Sequence, residues 1–280
     1  MLTKLSFWFA KPRSLARIVI VTTALGAVSI GMPQVTPGTA QPPPGAGQPA
    51  AGGRAGRSAL AAPAPDDNTG FEAIFDGKTL NNWDGDPDFW RAENGAIVAE
   101  STPEKVVKRN TFLVWRGGTL GDFELKLEYK LTEAANSGVQ YRSAMAPELG
   151  QWAMKGYQAD MDGQNNFTGM VYEERGRGFL APRGQFARIT EGRTRKLIAS
   201  PGDSDALKAF VKTGDWNHLH IIAHGNMLIH VINGHVISVL IDEDAQGRSL
   251  EGFLGLQMHV GKPMKLEFRN ILLKKLKPVL

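Results

Sequence analysis

The chain contains no cysteine. That excludes a disulfide framework, a thiolate nucleophile and a zinc site built on cysteine. Helical periodicity is nearly absent, and only TPEKVVKR (102–109) and SDALKAFVK (204–212) have room for a turn or two. No Gly-x-Ser-x-Gly elbow and no Gly-x4-Gly-Lys-Ser/Thr loop is present, which excludes the common hydrolase nucleophile turn and the common phosphate cradle. A nucleic-acid-binding surface is not expected either. The net charge is +4, but residues 1–40 hold Lys4, Lys11, Arg13 and Arg17 and no acid. Without them, basic and acidic residues balance at 28 each.

Those first 40 residues read as an export signal. A basic segment ends at Arg17, the apolar run IVIVTTALGAVSIGM follows, and Gly38 and Ala40 supply small residues for cleavage after Ala40. The apolar run is about 15 residues, shorter than the ~20 of a spanning helix. The expectation is a periplasmic or secreted protein with no stable membrane span after cleavage. Residues 41–66 are Pro, Gly and Ala with few large apolar side chains, the composition of a disordered linker. The folded unit is expected over 67–280.

That unit is rich in strand patterns. DFELKLEYKL (122–131) alternates Phe123, Leu125, Leu127, Tyr129 and Leu131 against Glu124, Lys126, Glu128 and Lys130, a strand with one wet face. NHLHIIAHGNMLIHVINGHVISVLID (217–242) reads as three strands broken at His224-Gly225-Asn226 and Asn233-Gly234. GFEAIFDG (70–77), GFLGLQMHVG (252–261) and KLEFRNILLKKL (265–276) add further strands. Many short strands with Gly- and Asn-rich turns predict an all-β protein, an antiparallel two-sheet jelly-roll sandwich.

Three strands carry an unusual polar face. In GVQYRS (138–143) Gln140 and Arg142 alternate with Val139 and Tyr141. In GYQADMDG (156–163) Gln158, Asp160 and Asp162 form one row. In LQMHV (256–260) Gln257 and His259 do so. A solvated face normally mixes Lys and Glu. Gln, Asp, Arg and His instead fix hydrogen-bond geometry and suit a polyhydroxylated ligand. FTGMVYEERGRGFLAPRG (167–184) adds Glu173, Glu174 and Arg175 on a strand running into a Gly-rich loop. His218, His220 and His224 have metal-like spacing but no matching acid cluster.

GFEAIFDGKTLNNWDG (70–85), NSGVQYR (136–142), GYQADMDG (156–163), GDWNHLHIIAHGNMLIHVINGH (214–235) and GLQMHVGKPMKLEFRNILLKKL (255–276) together resemble the 3-keto-disaccharide hydrolase domain, common in exported bacterial proteins. The resemblance covers about residues 70–276. It implies a concanavalin-A-like jelly roll, similar in architecture to laminarinases, acting on sugars already oxidised at C3 by a partner sugar 3-dehydrogenase. The central strand departs from the Glu-x-Gln pattern associated with the family, carrying Gln158-x-Asp160. On such a substrate a base removes the C2 proton and the C1 substituent leaves by elimination. The expected catalytic set is Asp160, His259 and Arg142. Gln140, Gln158, Gln257, Asp162, Glu173, Glu174 and Arg175 are the expected substrate-binding residues. No cofactor is expected, and a divalent metal in place of Arg142 stays open. The competing reading is a noncatalytic carbohydrate-binding module.

Overall fold

The computed structural model describes residues 67–278, and the expected export signal and linker lie outside them. Alternating sequence patterns become two stacked sheets. The larger sheet runs β12 (Thr194–Ala199), β11 (Gln185–Thr190), β15 (His235–Asp242), β14 (Met227–Ile232), β13 (Asn217–His224), β6 (Phe123–Leu131), β17 (Lys265–Lys275), β4 (Ala96–Glu100) and β3 (Trp90–Glu93), with β1 (Glu72–Ala73) on β17. The smaller sheet runs β10 (Gly178–Ala181), β9 (Val171–Glu174), β8 (Met154–Asp162), β7 (Asn136–Met145), β16 (Phe253–Met258), β5 (Thr111–Trp115) and β2 (Trp83–Asp84). Among the described residues every strand pairing is antiparallel except β11 with β15. The protein is therefore the expected all-β jelly-roll sandwich, with one parallel junction.

The core lies between the sheets. Phe123, Leu125, Leu127, Tyr129 and Leu131 of β6 all face it and are buried. From the smaller sheet come Val139, Tyr141, Tyr157, Ala159 and Met161. Tyr141 stacks on Tyr157 with centroids 5.9 Å apart, and its hydroxyl lies 2.8 Å from Nε2 of His230 on β14, a contact between the sheets. The break at 224–226 and the Asn233-Gly234 turn fall where the pattern put them, and Asn233 and Gly234 both have positive φ, as such a hairpin requires.

Three local expectations give way. Of segment 70–77 only Glu72–Ala73 is a strand, because the Asp76 carboxylate accepts from the backbone N–H groups of Lys78 and Thr79 and closes a turn. Segment 102–109 forms a turn closed by reciprocal Thr102 and Lys105 backbone bonds, not a helix. The face of β6 opposite the core is only partly wet. Lys126 is buried there, and its Nζ donates to the Asp67 carbonyl and the Asn68 side chain over the Phe71 ring. In segment 204–212 one short helix, Ser204–Lys208, forms behind an Asp203 cap.

Arg142 departs furthest. A register shift between Tyr141 and Ala144 and a φ of 46° at Arg142 break the alternation of β7. Arg142 therefore leaves the face of Gln140. Its Nε donates to the Gly121 carbonyl at 2.8 Å, Nη1 to the Gly225 carbonyl at 2.7 Å, and Nη2 to the Asp122 carboxylate at 2.7 Å. All three acceptors belong to the larger sheet's turns and strand ends, so a guanidinium from one sheet is tied to the other. Arg142→Ala leaves Asp122 buried without this cation and is expected to cost about 3–5 kcal/mol in urea unfolding. An unchanged midpoint combined with lost activity would instead return Arg142 to the catalytic set.

Candidate active site

The three polar strands are neighbours. β7 lies between β8 and β16, with Gly138 opposite Asp160, Gln140 opposite Gln158 and Gly255 opposite Gln140. Continuing that register puts Gln257 across from Gly138. The side chains of Gln140, Gln158, Gln257 and Asp160 thus gather on the outer face of the smaller sheet. The absence of a side chain at Gly138 makes this possible. A Cβ there would stand 2.3 Å from Cδ of Gln158, whose amide crosses the glycine.

The amides form a directed chain. Ser143 Oγ donates to Gln140 Oε1 at 2.5 Å, and Gln140 Nε2 donates to Gln158 Oε1 at 3.1 Å. Gln158 Nε2 then donates to Asp160 Oδ1 and to Gln257 Oε1, both at 3.4 Å. Gln257 Nε2 is buried with no partner. Gln140 and Gln257 are 0% exposed and Gln158 is 2% exposed, so their amides bond to one another and hold Asp160. Asp160 keeps 7% of its surface. Burial, then the charge of Asp162, pushes its carboxyl up to about 7, against the opposing Gln158 bond.

Next to this row, where Tyr172 of β9 sits beside Gln158, is a cleft of ≈ 350 Å³ lined by Asn110, Tyr172, Glu174, Arg175, His259 and Val260, with glycines between. Tyr172 and Glu174 come from β9, where Tyr172 sits opposite Gln158. Asn110 closes the other side. Its Nδ2 donates to Glu174 Oε1 at 3.1 Å, while its Oδ1 accepts from the Val260 N–H at 3.0 Å. β16, β7 and β8 lie between β5 and β9 in the sheet, so this contact arches over the face that holds Asp160. Tyr172 feels the site: burial raises its hydroxyl, and the charges of Glu174 and Asp160 raise it further. Arg175, at a φ of 57°, places Nε 3.4 Å from Glu174 Oε1. His259 Nδ1 lies 2.6 Å from the Val260 carbonyl. That contact requires a proton on Nδ1, so a neutral His259 has its lone pair on Nε2.

His259, Glu174 and Arg175 therefore line one cleft, and Asp160, carried by the glutamine row, lies within electrostatic reach of its Glu174 and Tyr172. Three expected residues lie elsewhere. Arg142 joins the sheets, as above. Glu173 alternates to the inner face opposite Tyr157 and binds Arg177 through Nε at 2.7 Å and Nη2 at 3.0 Å. Arg177 also holds Asp242 at 2.6 Å, and Asp242 accepts from Tyr157. Asp162 accepts from the backbone N–H groups of Asn166 at 3.0 Å and Phe167 at 2.8 Å, so it shapes the 163–168 loop. Asn110 and Tyr172 were missed. Tyr172 had a signal, being two residues before Glu174 on the same strand face. Asn110 stands just before β5, where no periodicity marks it.

A larger cleft of ≈ 590 Å³ lies between segments 104–111 and 150–153 and shares Asn110. Its lining contains none of Tyr172, Glu174, Arg175 and His259, so the smaller cleft is the one that gathers expected site residues. Among the described residues no group of three or more His, Asp or Glu converges as a metal site, and no helix is long and apolar enough to cross a membrane.

The architecture is a two-sheet jelly-roll sandwich with a polar cleft on its smaller sheet. Residues 70–274 match the 3-keto-α-glucoside-1,2-lyase-like domain, and the chain belongs to that family. Among solved structures it is similar to a candidate glycosyl hydrolase of Parabacteroides distasonis ATCC 8503, with 18% identity and a TM-score of 0.50 over 75% of this chain and 95% of that one. It also resembles the carbohydrate-binding module CBM66 of Bacillus subtilis, at 13% identity and TM-score 0.45 over 69% and 96% of the two chains. A β-glucanase of Bacillus licheniformis shares 8% identity with TM-score 0.43 over 74% and 97%. At these identities the likeness is one of fold. No curated protein matches the chain.

The Asp160 carboxyl has a stability consequence. Its folded value lies above the unfolded one, so its contribution is full below the ordinary aspartate value near 3.8 and is lost as pH rises through about 7. Asp160→Asn removes that loss. The variant is expected to melt higher than wild type at pH 8, with the difference shrinking toward pH 5 in thermal scans. A difference independent of pH would contradict the raised carboxyl.

Proposed function

We propose that the protein cleaves the glycosidic bond of 3-keto-glycosides by C2 deprotonation and β-elimination, with Asp160 as the base. The observation that carries this reading is the nearly buried Asp160 carboxylate, which accepts from the neutral Gln158 amide and has no arginine or lysine bonded to it among the described residues. Burial pushes it up to about 7, ionisable at neutral pH yet basic enough to take a carbon-bound proton. A ketone at C3 acidifies the C2 proton. Asp160 takes that proton, and the C2–H electrons form the enolate, with negative charge on the C3 oxygen. The enolate collapses back to the ketone as the C1–O bond breaks, and the departing oxygen takes a proton from Nε2 of His259 in its imidazolium form, which the water added at C1 later restores. This leaves a C1=C2 enone. Water adding at C1, with protonation at C2, completes net hydrolysis.

Arg175 replaces Arg142 as the enolate stabiliser, because it is the guanidinium at the cleft. Tyr172 and Glu174 orient hydroxyls. Gln140, Gln158 and Gln257 act through Asp160, fixing its position. Substrate access displaces Asn110 from Glu174. The remainder of the proposal follows from the substrate. A sugar carrying a C3 ketone needs a sugar 3-dehydrogenase upstream, and the leader-like residues 1–40 fit a periplasmic or secreted site of action.

Turnover of 3-keto-glucosides and their unoxidised parents, followed by product mass, tests the proposal. Cleavage is expected for the keto sugars alone. Asp160→Asn should lower kcat by roughly 10³-fold and His259→Ala by roughly 10²-fold, in the range of lost acid–base catalysis. Deuterium at C2 should slow wild-type turnover. Wild-type rates in both variants would overturn the assignment, and binding of unoxidised oligosaccharide without any turnover would make the protein a binding module.

A further inference from the structure

The Gln140–Gln158 row does not end at the cleft. Gln158 sits opposite Tyr172, and Tyr172 sits opposite Phe179 on β10, so the same face turns from amide to aromatic toward the sheet edge. The Tyr172 and Phe179 rings are tilted with centroids 5.0 Å apart, and Phe179 stacks on Phe167 at 5.3 Å and 24°. Phe167 is 40% exposed and Phe179 is 37% exposed, although both rings are fully apolar. An exposed aromatic run continuous with a polar cleft marks a binding surface, not core packing.

The run is also held in place. The Asp162 carboxylate accepts the Phe167 N–H at 2.8 Å, and Arg195 Nη1 donates to the Phe179 carbonyl at 3.1 Å. Asp162 thus has a task other than proton transfer, as it fixes the loop that presents Phe167. With strands ~4.8 Å apart, Phe179 stands two strands, about 10 Å, from the strand of Asp160. That is the reach of a ring joined to the reacting sugar by one glycosidic oxygen.

We propose that Tyr172, Phe179 and Phe167 form a leaving-group subsite that stacks the flat apolar face of a second ring. The proposal rests on the reading of Asp160 and the cleft as the reacting centre, and it adds what the substrate must carry on C1. A pyranose and an aromatic aglycone both offer such a face. Phe179→Ala and Phe167→Ala each enlarge nothing at Asp160 and should spare a substrate without a second ring.

The test compares kcat/KM for methyl, phenyl and glucosyl 3-keto-glucosides in wild type and both variants. About 10-fold losses through KM are expected for a ring-bearing leaving group, with less than 2-fold change for the methyl glycoside. Loss on the phenyl substrate alone assigns the subsite to aromatic aglycones, and loss on the glucosyl substrate assigns it to sugars. Equal effects on all three substrates, or none, would overturn the subsite. Saturation-transfer NMR of the unoxidised phenyl glucoside and disaccharide separates the two proposals if nothing is turned over. A transfer signal on the second ring that disappears in Phe179→Ala supports the subsite independently of the chemistry. A signal that persists in both variants refutes it.

Discussion

The site depends on one hydrogen bond, from Gln158 Nε2 to Asp160 Oδ1 across Gly138. Burial alone would favour the protonated carboxylic acid. The amide opposes this, and the balance leaves Asp160 near neutrality. Everything upstream sets the orientation of that amide. Gln158 Oε1 is occupied by Gln140, whose own oxygen is occupied by Ser143, so Gln158 must turn its donors toward Asp160 and Gln257. A side chain at position 138 would displace the amide, which makes the glycine a requirement of the site as much as of the sheet.

The two faces of the smaller sheet use charge in opposite ways. On the inner face Glu173, Asp242 and Asp244 are gathered by Arg177, all four almost fully buried side chains within ion-pair reach. There an arginine neutralises acids at the end of the sandwich. On the outer face Asp160 has neutral amides as its bonded neighbours, and among the described residues the guanidinium lining the cleft is that of Arg175, itself mostly exposed. Acids paired with buried arginines serve the fold, while an acid held by amides stays free to exchange a proton.

Much of this was legible in the sequence. The period-2 patterns of 122–131 and 217–242 located their strands almost to the residue, because each buries one face and a slip by one residue would turn every apolar side chain outward. The shared polar vocabulary of GVQ, QAD and LQ marked three strands far apart in sequence, and their adjacency is a finding of the structure. Arg142 was misplaced because a bulge adds a residue to β7, and a period-2 argument carries no information about bulges. Glu173 and Glu174 could not be told apart without knowing which face of β9 is inner. The burial of the glutamines was also hidden. Whether a polar row meets solvent or turns inward on itself depends on contacts between strands, here Gln140 with Gln158 and Gln158 with Gln257, which are 18 and 99 positions apart in sequence. Those contacts bury the amides expected to bind sugar and leave Gln158 bonded to one carboxylate.

The most direct test is the titration of the Asp160 carboxyl itself, by ¹³C NMR on selectively labelled protein, with the resonance assigned by its loss in Asp160→Asn. The account predicts a midpoint of about 7, moving higher in Gln158→Leu, where the stabilising donor is gone. A midpoint in the ordinary aspartate range, unaffected by Gln158, would contradict it.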